Sequence, residues 1–142
     1  MATTTYSTDA AGLGTSPTTK LSGAVVGGRL RRFRAVVDFA AQAAGDTVVL
    51  TAVPAGYTFA FGMINASATF GASATIAIGI AGTTGKYRAA ATHTTTVPTL
   101  FGLYTAADDV PLTAAEEILL TVAVAALPGS GSAVIDMYFS AP

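Results

Sequence analysis

The feature that most constrains this sequence is a two-residue alternation of apolar and polar side chains, which recurs from Arg29 to Phe139. Between residues 31 and 39, the large apolar side chains fall on one face, whereas Arg32, Arg34 and Asp38 fall on the other. A period of two places successive side chains on opposite faces of a β-strand. No long segment has a helical period, so the alternation predicts an all-β chain.

Seven or eight short strands follow from this alternation. The predicted strands are residues 29–39, 47–53, 57–64 and 75–80, a short strand within 99–105, then 118–124 and 133–139. Residues 82–85 are predicted as a turn and 86–96 as an irregular connection with one helical turn at 89–91. Short strands separated by regular turn signals are typical of an antiparallel β-sandwich or jelly roll.

Two segments carry the main expectations for packing. Tyr57, Phe59, Phe61 and Met63 alternate with smaller residues, and this aromatic row is predicted to contribute most to the core. The strand 118–124 is apolar on both sides, which predicts a central strand that is covered on both faces or packed against another subunit. We therefore expect self-association, most simply as a closed ring such as a trimer.

The chain divides into an N-terminal arm, residues 1–28, and a single sandwich domain, residues 29–142. The arm consists mainly of Thr, Ser, Gly and Ala, so it cannot bury enough apolar surface to offset its ordering entropy. It is either a disordered tail or an extended segment that becomes ordered against a partner. Under the second reading, Tyr6, Leu13 and Leu21 are candidate partner-binding residues.

Four arginines lie within six positions at the start of the first predicted strand: Arg29, Arg31, Arg32 and Arg34. Their positive charge could protect a solvated edge strand from edge-to-edge aggregation. It could instead meet carboxylates of an acidic protein partner through two-pronged hydrogen bonds. Packaged nucleic acid is a third reading, weakened by the absence of neighbouring lysines and of stacking residues beyond Phe33.

Composition excludes several classes of function. The chain has 7 Lys and Arg against 8 Asp and Glu, a net charge of −1, which disfavours a nucleic-acid-binding domain. It has no cysteine, so thiol chemistry and disulfides are excluded. The longest strongly apolar stretch, 118–127, is about half the length of a membrane-spanning helix. The N-terminal residues do not resemble a signal peptide, which predicts a protein made in the cytoplasm.

The sequence predicts no catalytic, cofactor-binding or metal site. His93 is the sole histidine, and without a nucleophile-elbow motif it is interpreted as an ordinary loop or surface residue. Asp108, Asp109, Glu116 and Glu117 could offer oxygen ligands to a cation, but they lack the EF-hand spacing, so a solvated loop is the preferred reading. The glycine pairs match neither the dinucleotide fingerprint nor the P-loop.

Two runs carry a resemblance to a known group of proteins. In VPAGYTFAFGMINASATFGASATIAIGIAGTTGKY, a Pro-Ala-Gly turn leads one strand, a GASAT strand follows, and a glycine turn ends near a tyrosine. With the closing run VPLTAAEEILLTVAVAALPGSGSAVIDMYF, this resembles small virion structural proteins of tailed bacteriophages and gene-transfer-agent-like particles.

The resemblance implies a non-enzymatic virion protein, most simply a capsid decoration (cement) protein on the outer surface of the head shell, made in the host cytoplasm. Its partners would be the major capsid protein or another virion protein, and further copies of itself. A tail or head-fibre component is an alternative. A carbohydrate- or ligand-binding β-sandwich module is another, although such modules typically expose Trp and Tyr in loops together with Asp or Asn ligands, and this chain has no Trp and a single asparagine, Asn65.

Overall fold

The computed structural model describes Ser7, Ala11 and residues 26–108 and 111–142. Its elements are β1 (Arg29–Asp38), β2 (Thr47–Val53), β3 (Thr58–Ala66), β4 (Thr75–Ile80), β5 (Thr83–Thr92), β6 (Thr99–Phe101), α1 (Tyr104–Asp108), β7 (Glu116–Ala123) and β8 (Ser132–Ala141). Within the described residues, no helix combines the length and apolar character needed to cross a bilayer.

The strands form two antiparallel four-stranded sheets. The first sheet has the order β1-β8-β3-β6 and the second has the order β2-β7-β4-β5. The outermost strands of the chain therefore pair with each other, as do β2 with β7, β3 with β6 and β4 with β5. This nested pairing is that of a long hairpin rolled into two sheets, which is the jelly roll. The predicted all-β sandwich is confirmed.

The core lies between the inner faces of the two sheets. On β8, every second residue from Ala133 to Ala141 is buried, as its alternation predicts. The ring of Phe139 lies 5.5 Å from that of Phe33, 5.4 Å from that of Phe59 and 5.9 Å from that of Tyr87, measured between centroids. This aromatic cluster joins both sheets, because Tyr87 belongs to the second sheet and the other three rings belong to the first.

Tyr57 and Phe59 pack in or against the core as predicted, but the prediction is wrong for Phe61 and Met63. A β-bulge between Phe59 and Phe61 shifts the register against β8, so that Phe59 opposes Phe139 and Phe61 opposes Tyr138. Since one extra residue reverses the facing of all that follow, Phe59 is buried but Phe61 is 37% exposed on the outer side. Ile64 takes the buried place that alternation assigns to Met63.

The prediction is also wrong for residues 83–92. The turn comprises Ala81 and Gly82, and residues 83–92 form strand β5, with no helical turn at 89–91. The pairing of β5 with β4 contains two register irregularities. They interrupt the two-residue alternation by which a strand is recognised in a sequence. The guanidinium of Arg88 donates to the carbonyl oxygens of Ile76, Ala91 and Thr92, which satisfies backbone groups at this irregular pairing.

Strand β7 lies between β2 and β4, in a central position of the second sheet. Ile118, Leu120 and Val122 are fully buried on its inner face, whereas Leu119 and Thr121 are half-buried on the outer face. The central position agrees with the two-sided apolar pattern. Self-association stays a prediction.

Candidate interaction surface

The outer face of the first sheet carries both charged and apolar side chains that a partner could contact. It presents the following side chains, which point away from the second sheet: Leu30, Arg32, Arg34, Val36, Phe61, Met63, Asn65, Leu100, Val134, Asp136 and Tyr138. Several large apolar members are exposed, and Leu100 is the most exposed at 67%. Exposed apolar side chains grouped on one face are a feature of protein interaction sites.

An aromatic pair lies at the centre of this outer face. The rings of Phe61 and Tyr138 stack with centroids 4.7 Å apart and an interplanar angle of 21°. The bulge in β3 creates this pair, because it brings Phe61 opposite Tyr138 on the outer side. Sequence alternation missed the pair, since it assigned Phe61 to the core.

A two-pronged ion pair lies beside the aromatic rings. Arg32 Nε donates to Asp136 Oδ1 at 2.8 Å, and Arg32 Nη2 donates to Asp136 Oδ2 at 2.7 Å. Asp136 is only 1% exposed although it belongs to the outer face. The hydrogen bond with Asp136 raises the pKa of Arg32 above its usual value. The Arg32–Asp136 ion pair neutralises two charges on the outer face and links the side chains of β1 and β8.

The other three arginines remain available to a partner. Arg29, Arg31 and Arg34 are exposed on β1, which is an edge strand of the first sheet. In the part of the chain that the structure describes, none of the three forms an ion pair. The four candidate arginines thus share one strand, but Arg32 is engaged within the chain. Tyr6, Leu13 and Leu21 lie outside the described residues.

An apolar groove continues the outer face beyond β3. It is a solvent-open groove of about 390 Å³ lined by uncharged residues: Phe59, Ala60, Phe61, Leu100, Phe101, Gly102, Leu103, Tyr104 and Ala107. Tyr104 is 79% exposed at its rim. A Cβ on Gly102 would lie 3.2 Å from the ring of Phe59. The absence of a side chain at this position therefore allows the backbone of Gly102 to lie close to that ring. The groove depends on the bulge and on α1, neither of which the sequence pattern indicates.

The acidic residues do not form one solvated loop. Glu116 begins β7, where it accepts hydrogen bonds from Lys86 Nζ and Tyr87 OH, each at 2.5 Å, so the loop reading is wrong for this residue. Glu117 is exposed on the same strand, Asp108 ends α1, and Asp109 lies outside the described residues. Among the residues that are described, no three His, Cys, Asp or Glu side chains are grouped so that they could hold a metal ion.

His93 lies in a loop, as expected, but it is not a surface residue. It is 4% exposed, and its ring meets that of Phe70 edge-on at 5.4 Å. Its Nε2 atom has no hydrogen-bond partner in the described structure. Burial lowers the pKa of His93, and the positive charge of Arg88 lowers it further. The folded protein therefore favours the neutral imidazole.

We expect the free energy of unfolding to fall as the pH decreases through about 6.5, the ordinary pKa of an unfolded histidine. Below that pH the unfolded chain takes up a proton that the folded chain binds less readily, so protonation favours unfolding. Urea titrations at about pH 8 and about pH 5 measure the difference, and the His93→Gln variant should show a smaller one. An equal difference in the variant would contradict this role.

Comparison with known proteins gives fold-level similarity. The sequence matches no family profile and no curated protein. Three phage capsids contain chains with this fold. A chain in the capsid of Ralstonia phage GP4 superposes with a TM-score of 0.65 at 16% identity, covering 81% of this chain and 86% of that one.

The other two capsids give closely similar values. For cyanophage Pam1, the TM-score is 0.64 at 17% identity, with 81% and 86% of the two chains covered. For the acid-stable capsid of Helicobacter pylori bacteriophage KHP30, it is 0.60 at 13% identity, with 80% and 88% covered. The predicted resemblance to phage virion proteins is confirmed at the level of the fold.

Proposed function

We propose that this chain is a non-enzymatic structural protein of a phage virion, and that it attaches to the outer surface of the head shell as a decoration protein. The observation that carries the proposal is the coverage of the structural similarity. The Ralstonia phage capsid chain is matched over 86% of its length, so the two chains share the whole fold and not one motif. A shared fold alone does not determine function, and the interaction surface supplies the chemical support.

The exposed arginines provide a means of attachment. Arg29, Arg31 and Arg34 lie along the free edge of the first sheet, where planar guanidinium groups can bind carboxylates of a shell protein in a two-pronged geometry. With a net charge of −1, the chain has little long-range attraction for nucleic acid. We therefore favour an acidic protein surface as the partner of these arginines.

The N-terminal arm provides a second contact. Tyr6 and Leu13 are spaced so that an extended arm can place apolar side chains in pockets of a neighbour or add a strand to its sheet. The assembly unit would be a closed ring of copies, most simply a trimer. Light scattering on the isolated protein would measure that unit.

A reconstitution experiment tests attachment to the shell. Shells of the major capsid protein from the same genome, assembled without this chain, are mixed with the purified protein and sedimented. We expect the full-length protein to bind the shells, and electron microscopy to show added density on their outer surface. Deletion of residues 1–20 should weaken binding, and so should joint replacement of Arg29, Arg31 and Arg34 by Lys, which preserves charge but not two-pronged hydrogen bonding.

The variant set separates the alternatives. Arg32 is left unchanged because its replacement would break the pair with Asp136. Val49→Ser, on the outer side of the second sheet, is the control and should bind shells normally. Unaltered binding of the Lys variant, together with DNA binding that falls steeply with added salt, would favour nucleic acid as the partner. Binding to tails or fibres, but not to shells, would favour the alternative virion location.

A further inference from the structure

We propose that residues 18–25 of the N-terminal segment cross the outer face of the first sheet of their own chain and that Leu21 occupies the apolar groove beside Phe61 and Leu100. This inference goes beyond the proposed function and does not depend on it. It concerns the isolated protein, and it can be tested without a shell.

The position at which the described body begins is the first support. Strand β1 starts at Arg29, which lies opposite Ala141 at one end of the first sheet. Phe61 and Tyr138 pair near that same end. The arm therefore joins the body close to the end of the sheet that contains the groove, although at the opposite lateral edge, since β1 and β6 are the two edge strands.

The available length of chain is the second support. Neighbouring strands are about 4.8 Å apart, so the three steps from β1 to β6 span about 14 Å. Eight extended residues, the separation of Leu21 from the first residue of β1, Arg29, span at most about 28 Å. A segment that leaves β1 and runs across the strands is therefore long enough to bring Leu21 to the groove.

A series of exposed or half-buried apolar side chains marks the path of this segment. Leu30 on β1, Tyr138 on β8, Phe61 on β3 and Leu100 on β6 all belong to the outer face. Small residues of the segment, Ser22, Gly23 and Ala24, would allow the backbone to approach the stacked rings closely. Covering this series would remove apolar surface from water, which is the driving force for docking.

The chemistry of the groove also fits this occupant. The lining residues carry no charge, and residues 21–28 of the chain, LSGAVVGG, carry none either. Lys20 precedes them and would lie beyond the β6 edge, where its ammonium can remain in water. A charged peptide would instead lose solvation in such a groove without gaining an ion pair.

Docking would give the arm a defined exit point. Tyr6 and Leu13 would project from the β6 edge, whereas Arg29, Arg31 and Arg34 occupy the β1 edge. Opposite edges of one sheet would then carry two chemically different sets of contacts, one apolar and one cationic.

Limited proteolysis is the first test. Lys20 is the only Lys or Arg before Arg29, so trypsin cleavage after Lys20 reports directly on the segment. We expect cleavage in the intact protein to be about tenfold slower than in a synthetic peptide of residues 12–28, because protection follows the fraction of docked molecules. Leu100→Ser and Phe61→Ser should each abolish most of this protection. Val49→Ser, an exposed apolar residue on the second sheet, should leave it unchanged.

Disulfide trapping identifies the chain that supplies the segment. The protein has no cysteine, so an introduced pair reacts without competition. Under mild oxidation, Leu21→Cys with Leu100→Cys should form a disulfide within one chain, whereas Leu21→Cys with Val49→Cys should not, because a disulfide needs Cα atoms within about 7 Å.

Three results would overturn the proposal. Equal trapping of the two cysteine pairs would show a segment without a preferred site. A covalent dimer from the Leu21 and Leu100 pair would assign the groove to the arm of a second copy. Cleavage at the rate of the free peptide would show that the segment is not docked.

Discussion

Replacement of Gly79 by Ala is expected to destabilise the protein by about 3 kcal/mol, the upper part of the usual range for overpacking a tight site. A Cβ on Gly79 would lie 2.2 Å from the backbone oxygen of Thr83 and 2.5 Å from the carbonyl carbon of Thr84. These are backbone atoms of β5, so a side-chain rotation cannot relieve the clash. Strand β5 would have to move away from β4, and the hairpin that includes residues 81 and 82 would open.

Urea unfolding monitored by circular dichroism measures this effect. Gly129→Ala is the matched control, since a Cβ there meets nothing within 4 Å. We expect the control to retain the unfolding midpoint of the parent protein. A Gly79→Ala protein with the parent's midpoint would contradict the close approach of β5 to β4.

Replacement of Phe139 by Ala should remove about 4 kcal/mol from the free energy of unfolding, as is typical when a buried aromatic ring is deleted. Phe139 is fully buried and touches rings from both sheets. Its removal would leave a cavity between the sheets that the surrounding rings can fill only in part. Thermal or urea unfolding gives the difference, and Phe139→Leu, which keeps more of the volume, should lose less.

The neighbouring residue provides a control for this prediction. Tyr138 follows Met137 on the same strand, but its ring lies on the outer face against Phe61. Tyr138→Ala should retain most of the stability, because its ring is half-exposed and no cavity forms between the sheets. A larger loss for Tyr138→Ala than for Phe139→Ala would contradict the assignment of the two faces.

The arginines of β1 can serve both of the protein-surface roles considered for them. On the isolated chain, Arg29, Arg31 and Arg34 place positive charge along an unpaired strand edge, which discourages pairing with the same edge of another copy. On an acidic shell surface, the same groups would form ion pairs. Protection of the strand edge concerns the free protein, and ion pairing concerns the protein bound to a shell. The reconstitution experiment therefore tests whether the partner is nucleic acid, but it does not separate these two roles.

The candidate surface shows where sequence reasoning reaches its limit. The clustering of four arginines on one strand follows from their spacing, because a strand places adjacent residues within a short distance. The spacing does not predict that Arg32 forms an ion pair within the chain whereas the other three arginines do not. Arg32 and Asp136 are 104 positions apart in the chain, and only the pairing of β1 with β8 brings them together.

Local alternation by itself determined the strand class, the limits of β2 and the buried face of β1 and β8, because the facing of a side chain within a regular strand depends only on its position along that strand. Tertiary structure alone decided the outer position of Phe61, the strand character of residues 83–92, and the burial of His93 and Asp136. Each of these depends on a bulge, an irregular register or a distant partner. Such features form only when two strands pair with each other and pack against the core. The residue pattern of either strand alone therefore does not predict them.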